Sequence, residues 1–352
     1  MSATLSALID SGRPLQGLDL AGLDARGQVL EQLLVFSDCD LRGSRWQGAR
    51  LQGLCFAGCD LRGADFSAAQ LERVSFNDCH LDASLWRDAR ASLLAINGNS
   101  AVGSDWSGAA LGQSSLSQLA LSGSSWRHAA LLRTALCDCR FDHIDWCDAQ
   151  FEKCVVTQAD LRQAALAGLH ARATIWIDAK LCKQDLRGLS LTRCTFHKGD
   201  FSHADLSGAD LSESNLMSAR FEGTRLARLH APRSLWAEAE FSDARLDEAE
   251  LSSGVFRKAR LSRVSLRGAR LATSVWQQAR WQDVDFSAAD LSLADLSHVH
   301  GDRIDFSATT LAHANVHQAQ WTQTSLSPDQ TALFRTTDPV LAQAESRSLE
   351  LP

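Results

Sequence analysis

The 352-residue chain contains no run of eighteen apolar residues, so no segment reads as a membrane-spanning helix. Its start lacks the charged-then-apolar pattern of a secretory signal, and a cytoplasmic protein is expected. The net charge of −7 and pI near 5.9 come without a basic stripe, which argues against direct nucleic-acid binding. No glycine-rich phosphate loop occurs; glycine instead falls at the last position of short units, where a chain would turn a corner. Ten cysteines form no zinc knuckle, because Cys137-Asp138-Cys139 is too tight and no second pair answers it. Among eleven histidines, His298 and His300 lie two apart and His313 and His317 four apart, yet neither pair has an evident third ligand or outer shell. No metal, cofactor, small-molecule substrate or membrane partner is therefore expected. Serine and aspartate are abundant everywhere, so combinations with histidine carry no catalytic signal, and the reading is that of a non-enzyme.

What the chain does have is a period. From Phe36 to Leu326 a central residue, usually large and apolar, returns every five positions, fifty-nine times; all ten Trp and thirteen of the fourteen Phe stand at these centres. Two positions earlier sits a small residue, mostly Ala, Ser, Thr, Cys, Val or Leu, while the other three positions carry most of the charge. Five matches neither the 3.6 of a helix nor the 2 of a strand, so the repeat reads as a solenoid whose units bury their apolar residues only by stacking.

The run Ala204-Asp205-Leu206-Ser207-Gly208, Ala209-Asp210-Leu211-Ser212-Glu213, Ser214-Asn215-Leu216-Met217-Ser218 resembles the pentapeptide-repeat family, and the resemblance extends over about four fifths of the chain. It implies an all-β fold, a right-handed quadrilateral β-helix with four pentapeptides per turn and the central and small residues facing inward. Period twenty is an independent sign: Trp46, Trp86, Trp106, Trp126 and Trp146 are spaced by multiples of twenty, as are Cys39, Cys59 and Cys79. The outward series Arg140, Asp160, Lys180, Asp200, Arg220, Glu240, Arg260 alternates in charge at each step of twenty, which reads as a register device. Roughly fifteen turns at ~4.8 Å would make one elongated rod of about 70 Å.

The expected divisions are residues 1–35, an N-terminal helix over 1 to 13 followed by irregular first turns one residue out of phase; 36–326, the solenoid; and 327–352, a helical cap and tail. The cap reads as two N-capped segments, one beginning at Ser327-Pro328 and one at Asp338-Pro339. Cys39, Cys59, Cys79, Cys139, Cys154 and Cys194 take the small inward position, where they read as small hydrophobes whose parallel sulfurs do not pair. Ala91 and Ala101 shrink two centres around an inward Asn99, so that turn is expected to pack less well and is a candidate bend. Ala171, Ala231 and Gly301 weaken theirs beside His170, His230 and His300 and near Arg172, Arg233 and Arg303; the preferred reading is room for bulky neighbours rather than a recurring polar site.

One outward column is unusually apolar: Val155, Ile175, Thr195, Asn215, Leu235, Val255 and Val275, with Ile177 and Met217 beside it. The candidate partner-binding stripe is Val155, Ile175, Ile177, Met217, Leu235, Val255 and Val275, although β-branched residues also favour outward strand positions for their own sake. The preferred functional reading is a non-catalytic protein-interaction scaffold. Its terminal layout and Arg- and Trp-rich array resemble family members that accompany bacterial type VI secretion clusters, which implies spike or effector components, or a second copy, as partners. The alternative is mimicry of duplex DNA toward DNA gyrase or another topoisomerase, through a face such as Asp105, Asp145, Asp185 and Asp205. Duplex DNA carries one charge per ~1.7 Å, about forty over such a rod, far more than this chain's net charge.

Overall fold

The computed structural model describes residues 15–348, so the helix expected over 1 to 13 lies outside the described residues. The chain is an all-β, right-handed quadrilateral β-helix of about 16 turns with two short helices after it. Its repeat is uninterrupted in sequence, but in space the chain divides into two compact units, Met1–Ala179 and Lys180–Pro352.

In the first unit, two of the four faces are continuous parallel sheets. One pairs Phe36 with Phe56, Phe56 with Phe76 and so on; the other pairs Leu51 with Leu71, Leu71 with Ala91 and onward, always twenty residues apart. The remaining faces are held by single bridges such as Asp40 to Asp60 and Asp65 to Leu85. The first turn is longer. Leu15 pairs with Phe36, Asp24 with Arg45 and Leu30 with Leu51, twenty-one apart, whereas Leu34 already pairs with Leu54. The extra residue therefore lies within Glu31 to Leu33, and Leu33 is 88% exposed there.

Backbone hydrogen bonding explains why the unit is five residues. Each central N–H donates to the next turn, as Leu41 N to Asp60 O at 2.7 Å, and the residue two places later does the same, as Gly43 N to Arg62 O at 2.9 Å. Between these bonds the backbone turns a corner by placing that later residue in the left-handed region. Gly48 is there at φ 64°, but so are many side chains that favour it less, among them Leu93 at 53° and Leu293 at 58°. An L-residue costs roughly 1–2 kcal/mol in that region. Leu293 is also 52% exposed, so Leu293→Gly is expected to raise stability by about 0.5–1 kcal/mol, checked by urea unfolding.

Inside, like rings stack in columns. Trp86, Trp106 and Trp126 lie nearly parallel at centroid separations of 4.3 and 4.7 Å, and Phe36, Phe56 and Phe76 at 5.0 and 4.8 Å. The second unit repeats the device with Phe201, Phe221 and Phe241, and with Phe256 on Trp276 at 4.1 Å. A buried indole N–H needs an acceptor, and the small position supplies it. Ser44, Ser84, Ser104 and Ser274 each accept from the Trp two residues later at 2.8 Å, while Ser84 and Ser104 pass their own protons to Leu81 and Ala101 carbonyls. Trp281 follows Ala279, and its buried Nε1 has no partner. Ala279→Ser is expected to add about 1 kcal/mol, read as a rise in urea midpoint at unchanged slope.

The inward cysteines do more than fill space. They are buried and form no disulfide, as expected, but they also act as donors: Cys59 Sγ meets Phe36 O at 3.3 Å, Cys154 Sγ meets Leu131 O at 3.3 Å and Cys139 Sγ meets Leu116 O at 3.5 Å. Ser214 and Thr224 make the same bond to Leu191 and Phe201 carbonyls at 2.9 and 3.0 Å. Burial pushes the Cys139 thiol up to about 11, keeping it protonated for that role. In the turn expected to pack less well, the centre Ala91 is half-buried where Leu71 and Leu111 are buried, but the inward Asn99 is well bonded. Its amide nitrogen donates to Phe76 O at 3.0 Å, its oxygen accepts from the Cys79 N–H, and the strand ladder runs through Ile96 from Phe76 to Leu116 without a gap. At Gly301 the space left by the absent side chain is taken by a bulky neighbour, as expected: Ile304 Cδ1 lies 2.3 Å and Trp281 Cβ 3.6 Å from where a Cβ would stand.

Candidate interaction surface

Aspartate is common one place before the centre because its carboxylate caps the next corner. Ser67 N, Ser207 N and Ser292 N donate to Asp65, Asp205 and Asp290 Oδ1 at 2.8, 3.0 and 2.9 Å. Where arginine follows two places on, as in Asp40-Leu41-Arg42, the guanidinium adds a fork to the same carboxylate, with Nε at 2.9 Å and a terminal nitrogen at 2.5 Å. That contact holds the Asp40 carboxyl down at about 2. Such pairs are exposed and worth little stability individually; their effect is to remove net charge from the surface.

The four aspartates singled out for DNA mimicry each face an arginine, Asp185 the one two places on and the others one from an adjacent turn. Asp105 pairs with Arg87 at 2.6 Å, Asp145 with Arg127 at 3.1 Å, Asp185 with Arg187 at 2.6 Å and Asp205 with Arg225 at 3.8 Å. The alternating column is also partly realised as ion pairs, with Arg260 beside Glu240 at 3.5 Å, but Arg280 follows Arg260 and ends the alternation. A neighbouring corner column, which the sequence reading passed over, is stricter. Arg263 forks onto Asp243 at 2.6 and 2.7 Å, and Arg303 repeats this on Asp283.

The structure places the first three stripe residues together and the rest in the second unit. Val155 pairs with Ile175, and Ile175 and Ile177 are 42% and 44% exposed. In the second unit, Leu235, Val255 and Val275 follow one another by parallel bridges, half-buried, with Asn215 before them and half-buried Met217 beside that asparagine. Val155 and Thr157 belong to two outward columns that continue toward the N-terminus at steps of twenty. The outward positions of that sheet from Val35 to Ile177 carry no charge: Val35, Cys55, Ser75, Ala95, Ser115, Ala135, Val155 and Ile175 on one side of the centre, and Ser37, Ala57, Asn77, Asn97, Ser117, Cys137, Thr157 and Ile177 on the other. Its polar members satisfy each other, Asn97 Nδ2 donating to Asn77 Oδ1 at 3.1 Å and Ser117 Oγ to Asn97 Oδ1 at 2.6 Å.

His170, His230 and His300 are not brought together. His170 and His300 each bond the carbonyl of their own corner, at Gly168 and His298, while Arg233 is occupied by Glu213 and Arg303 by Asp283. A different cluster forms where the last turns meet the two helices, α1 (Pro328–Thr331) and α2 (Pro339–Ser348). Ser327 and Gln330 make a reciprocal cap on α1, and the Gln330 amide donates to the Phe306 and Thr309 carbonyls at 2.9 Å. Asp338 caps α2, its carboxylate accepting from Val340 N at 2.8 Å and Leu341 N at 3.2 Å. Glu345 of α2 reaches back to His317 Nε2 at 3.1 Å, His298 Nε2 at 3.4 Å and Gln318 Nε2 at 2.9 Å. The His317 bond holds the Glu345 carboxyl below its usual range. Sequence spacing compared His298 with His300 and His313 with His317; the turn instead joins His298 to His317, nineteen apart, at a ring separation of 5.5 Å.

No helix among the described residues is long and apolar enough to cross a membrane. Two family models match: a pentapeptide repeat region over residues 33–106, and pentapeptide repeats over 177–212, 200–228, 239–275 and 265–300. None of the curated proteins matches at a significant level. Among solved structures, the full-length plasmid-mediated fluoroquinolone resistance protein QnrB1 is 18% identical, over 56% of this chain and 91% of that one, with a TM-score of 0.36. HetL, a pentapeptide repeat protein involved in heterocyst differentiation regulation in Nostoc sp. strain PCC 7120, is 18% identical over 85% and 95%, at 0.16. Rfr23 from Cyanothece 51142 is 19% identical over 42% and 91%, at 0.15. At these identities the likeness concerns the fold alone.

Proposed function

The chain belongs to the pentapeptide-repeat family, and from that premise we propose that it is a non-catalytic protein-interaction scaffold. The observation that carries this reading is the uncharged sheet face of the first unit, ending in exposed Ile175 and Ile177, with a second apolar series at Leu235, Val255 and Val275. Three of its polar side chains, Asn77, Asn97 and Ser117, already bond one another, which lowers the desolvation cost of covering them with a partner's apolar surface. Val155, Ile175, Ile177, Met217, Leu235, Val255 and Val275 are the proposed contact residues. The finer role, an accessory that helps load a type VI secretion spike with its effectors, rests only on resemblance in terminal layout and in Trp and Arg content.

A second reading, mimicry of DNA toward gyrase, is supported by acid-on-acid neighbours such as Asp40 beside Asp60 and Asp285 beside Asp305. It is opposed by the arginines that neutralise Asp40, Asp60 and the four aspartates of the proposed face. A pull-down from bacterial lysate with mass spectrometry, run beside an Ile175→Asp, Leu235→Asp variant of unchanged fold by circular dichroism, separates them. Secretion-spike proteins captured by the wild type and lost by the variant support the scaffold, and its binding is expected to weaken at least tenfold. Gyrase subunits captured equally by both favour mimicry. Equal capture of every partner and an unchanged oligomeric state would remove the stripe from the account.

A further inference from the structure

We propose that His298, His317 and Glu345 form a binding site for a divalent transition-metal ion of the zinc class, which fastens α2 to the last turns of the solenoid. The three ligand atoms lie within 4.8 Å of one another. The two closest separations, 3.1 Å from His317 Nε2 and 3.4 Å from His298 Nε2 to the two carboxylate oxygens, match the edge of a tetrahedron built on metal–ligand bonds of about 2.0–2.2 Å. His317 is 4% exposed and its Nε2 points to the shared space, whereas His298 is half-exposed. The three residues line one cleft together with Asp295, Asp338 and Arg257. Two carboxylates besides Glu345 outweigh the single guanidinium, so the cleft favours a cation.

The second ring nitrogen makes the site diagnosable. In the metal-free arrangement His317 Nδ1 accepts from the Asp338 N–H at 3.2 Å, which places the ring proton on Nε2, where it donates to Glu345. A metal on Nε2 takes the place of that proton. The neutral ring then carries its proton on Nδ1, facing the Asp338 N–H, and the Asp338 contact breaks. Loading thus exchanges two hydrogen bonds of His317, to Glu345 and from the Asp338 N–H, for metal bonds and rearranges the residue that caps α2. A helix fastened in this way is held against the corner formed by His298, His317 and Gln318.

The test is titration of the full-length, reduced protein with zinc chloride, followed by calorimetry, by nitrogen-15 NMR of the imidazoles and by amide hydrogen exchange. One equivalent is expected to switch His317 from the Nε2–H to the Nδ1–H form, expose the Asp338 amide and slow exchange within residues 340–346. His298→Ala, at a half-exposed position that leaves the core intact, and Glu345→Gln are each expected to weaken that event ten- to a hundredfold. Zinc uptake of equal affinity in wild type and both variants, or uptake with no change at His317, overturns the proposal and assigns the ion to the scattered thiols and histidines.

Discussion

Replacing Trp106 by alanine is expected to lower the stability of the first unit by about 3–5 kcal/mol. Its ring is sandwiched between Trp86 at 4.3 Å and Trp126 at 4.7 Å, with interplanar angles of 3° and 7°, and is 1% exposed. The cavity would open in the middle of a column, where each turn touches only its neighbours, so little else can collapse into it. The replacement also strands Ser104, whose hydroxyl accepts from the indole at 2.8 Å. Urea unfolding followed by near-ultraviolet circular dichroism measures both parts. Ser104→Ala alone is expected to cost about 1–3 kcal/mol, the penalty of leaving the indole N–H buried without an acceptor. A Trp106→Ala loss under 1 kcal/mol would mean that the column adds nothing beyond its local strands.

Asn99→Ala is expected to cost about 2–4 kcal/mol, although alanine conforms better to the repeat. The side chain is 4% exposed and serves two backbone groups of the preceding turn, the Phe76 carbonyl and the Cys79 N–H. Alanine leaves both without that partner in a place water does not reach. The result is measurable as a fall in urea midpoint, with slower amide exchange at Cys79 in the wild type than in the variant. Asn99→Ser should recover part of the loss, since Ser114 already bonds Leu94 N from the equivalent small position at 3.1 Å. An unchanged midpoint for Asn99→Ala would restore the view of this turn as a weak one.

These two sites show where pattern reading works and where it stops. Fifty-nine centres repeat one local choice, so errors at individual positions do not obscure the coil, and the step of twenty is visible in Trp46, Trp86, Trp106 and Trp126 before any coordinate is known. The phase slip ahead of Phe36 was legible too, and the register of Leu15 on Phe36 places its extra residue. Asn99 looked like a defect because a pattern of large and small residues records volume and not hydrogen bonds. The donor role of the cysteines was not legible for the same reason: whether Sγ also donates depends on a carbonyl twenty-three residues earlier.

The uncharged face was missed because attention went to apolar side chains, whereas its character comes from small polar ones that bond each other across turns. The sequence by itself determined the period, the inward and outward assignment of almost every residue, and the absence of any dominant charge. Those properties are local or additive, and repetition averages them into certainty. Only the tertiary structure decided which aspartates are neutralised, which buried polar groups find partners, and that His298, His317 and Glu345 converge. Each of these depends on the pitch of the coil and on the return of one helix to its last turns, distances of a few ångströms that a five-residue rhythm does not encode.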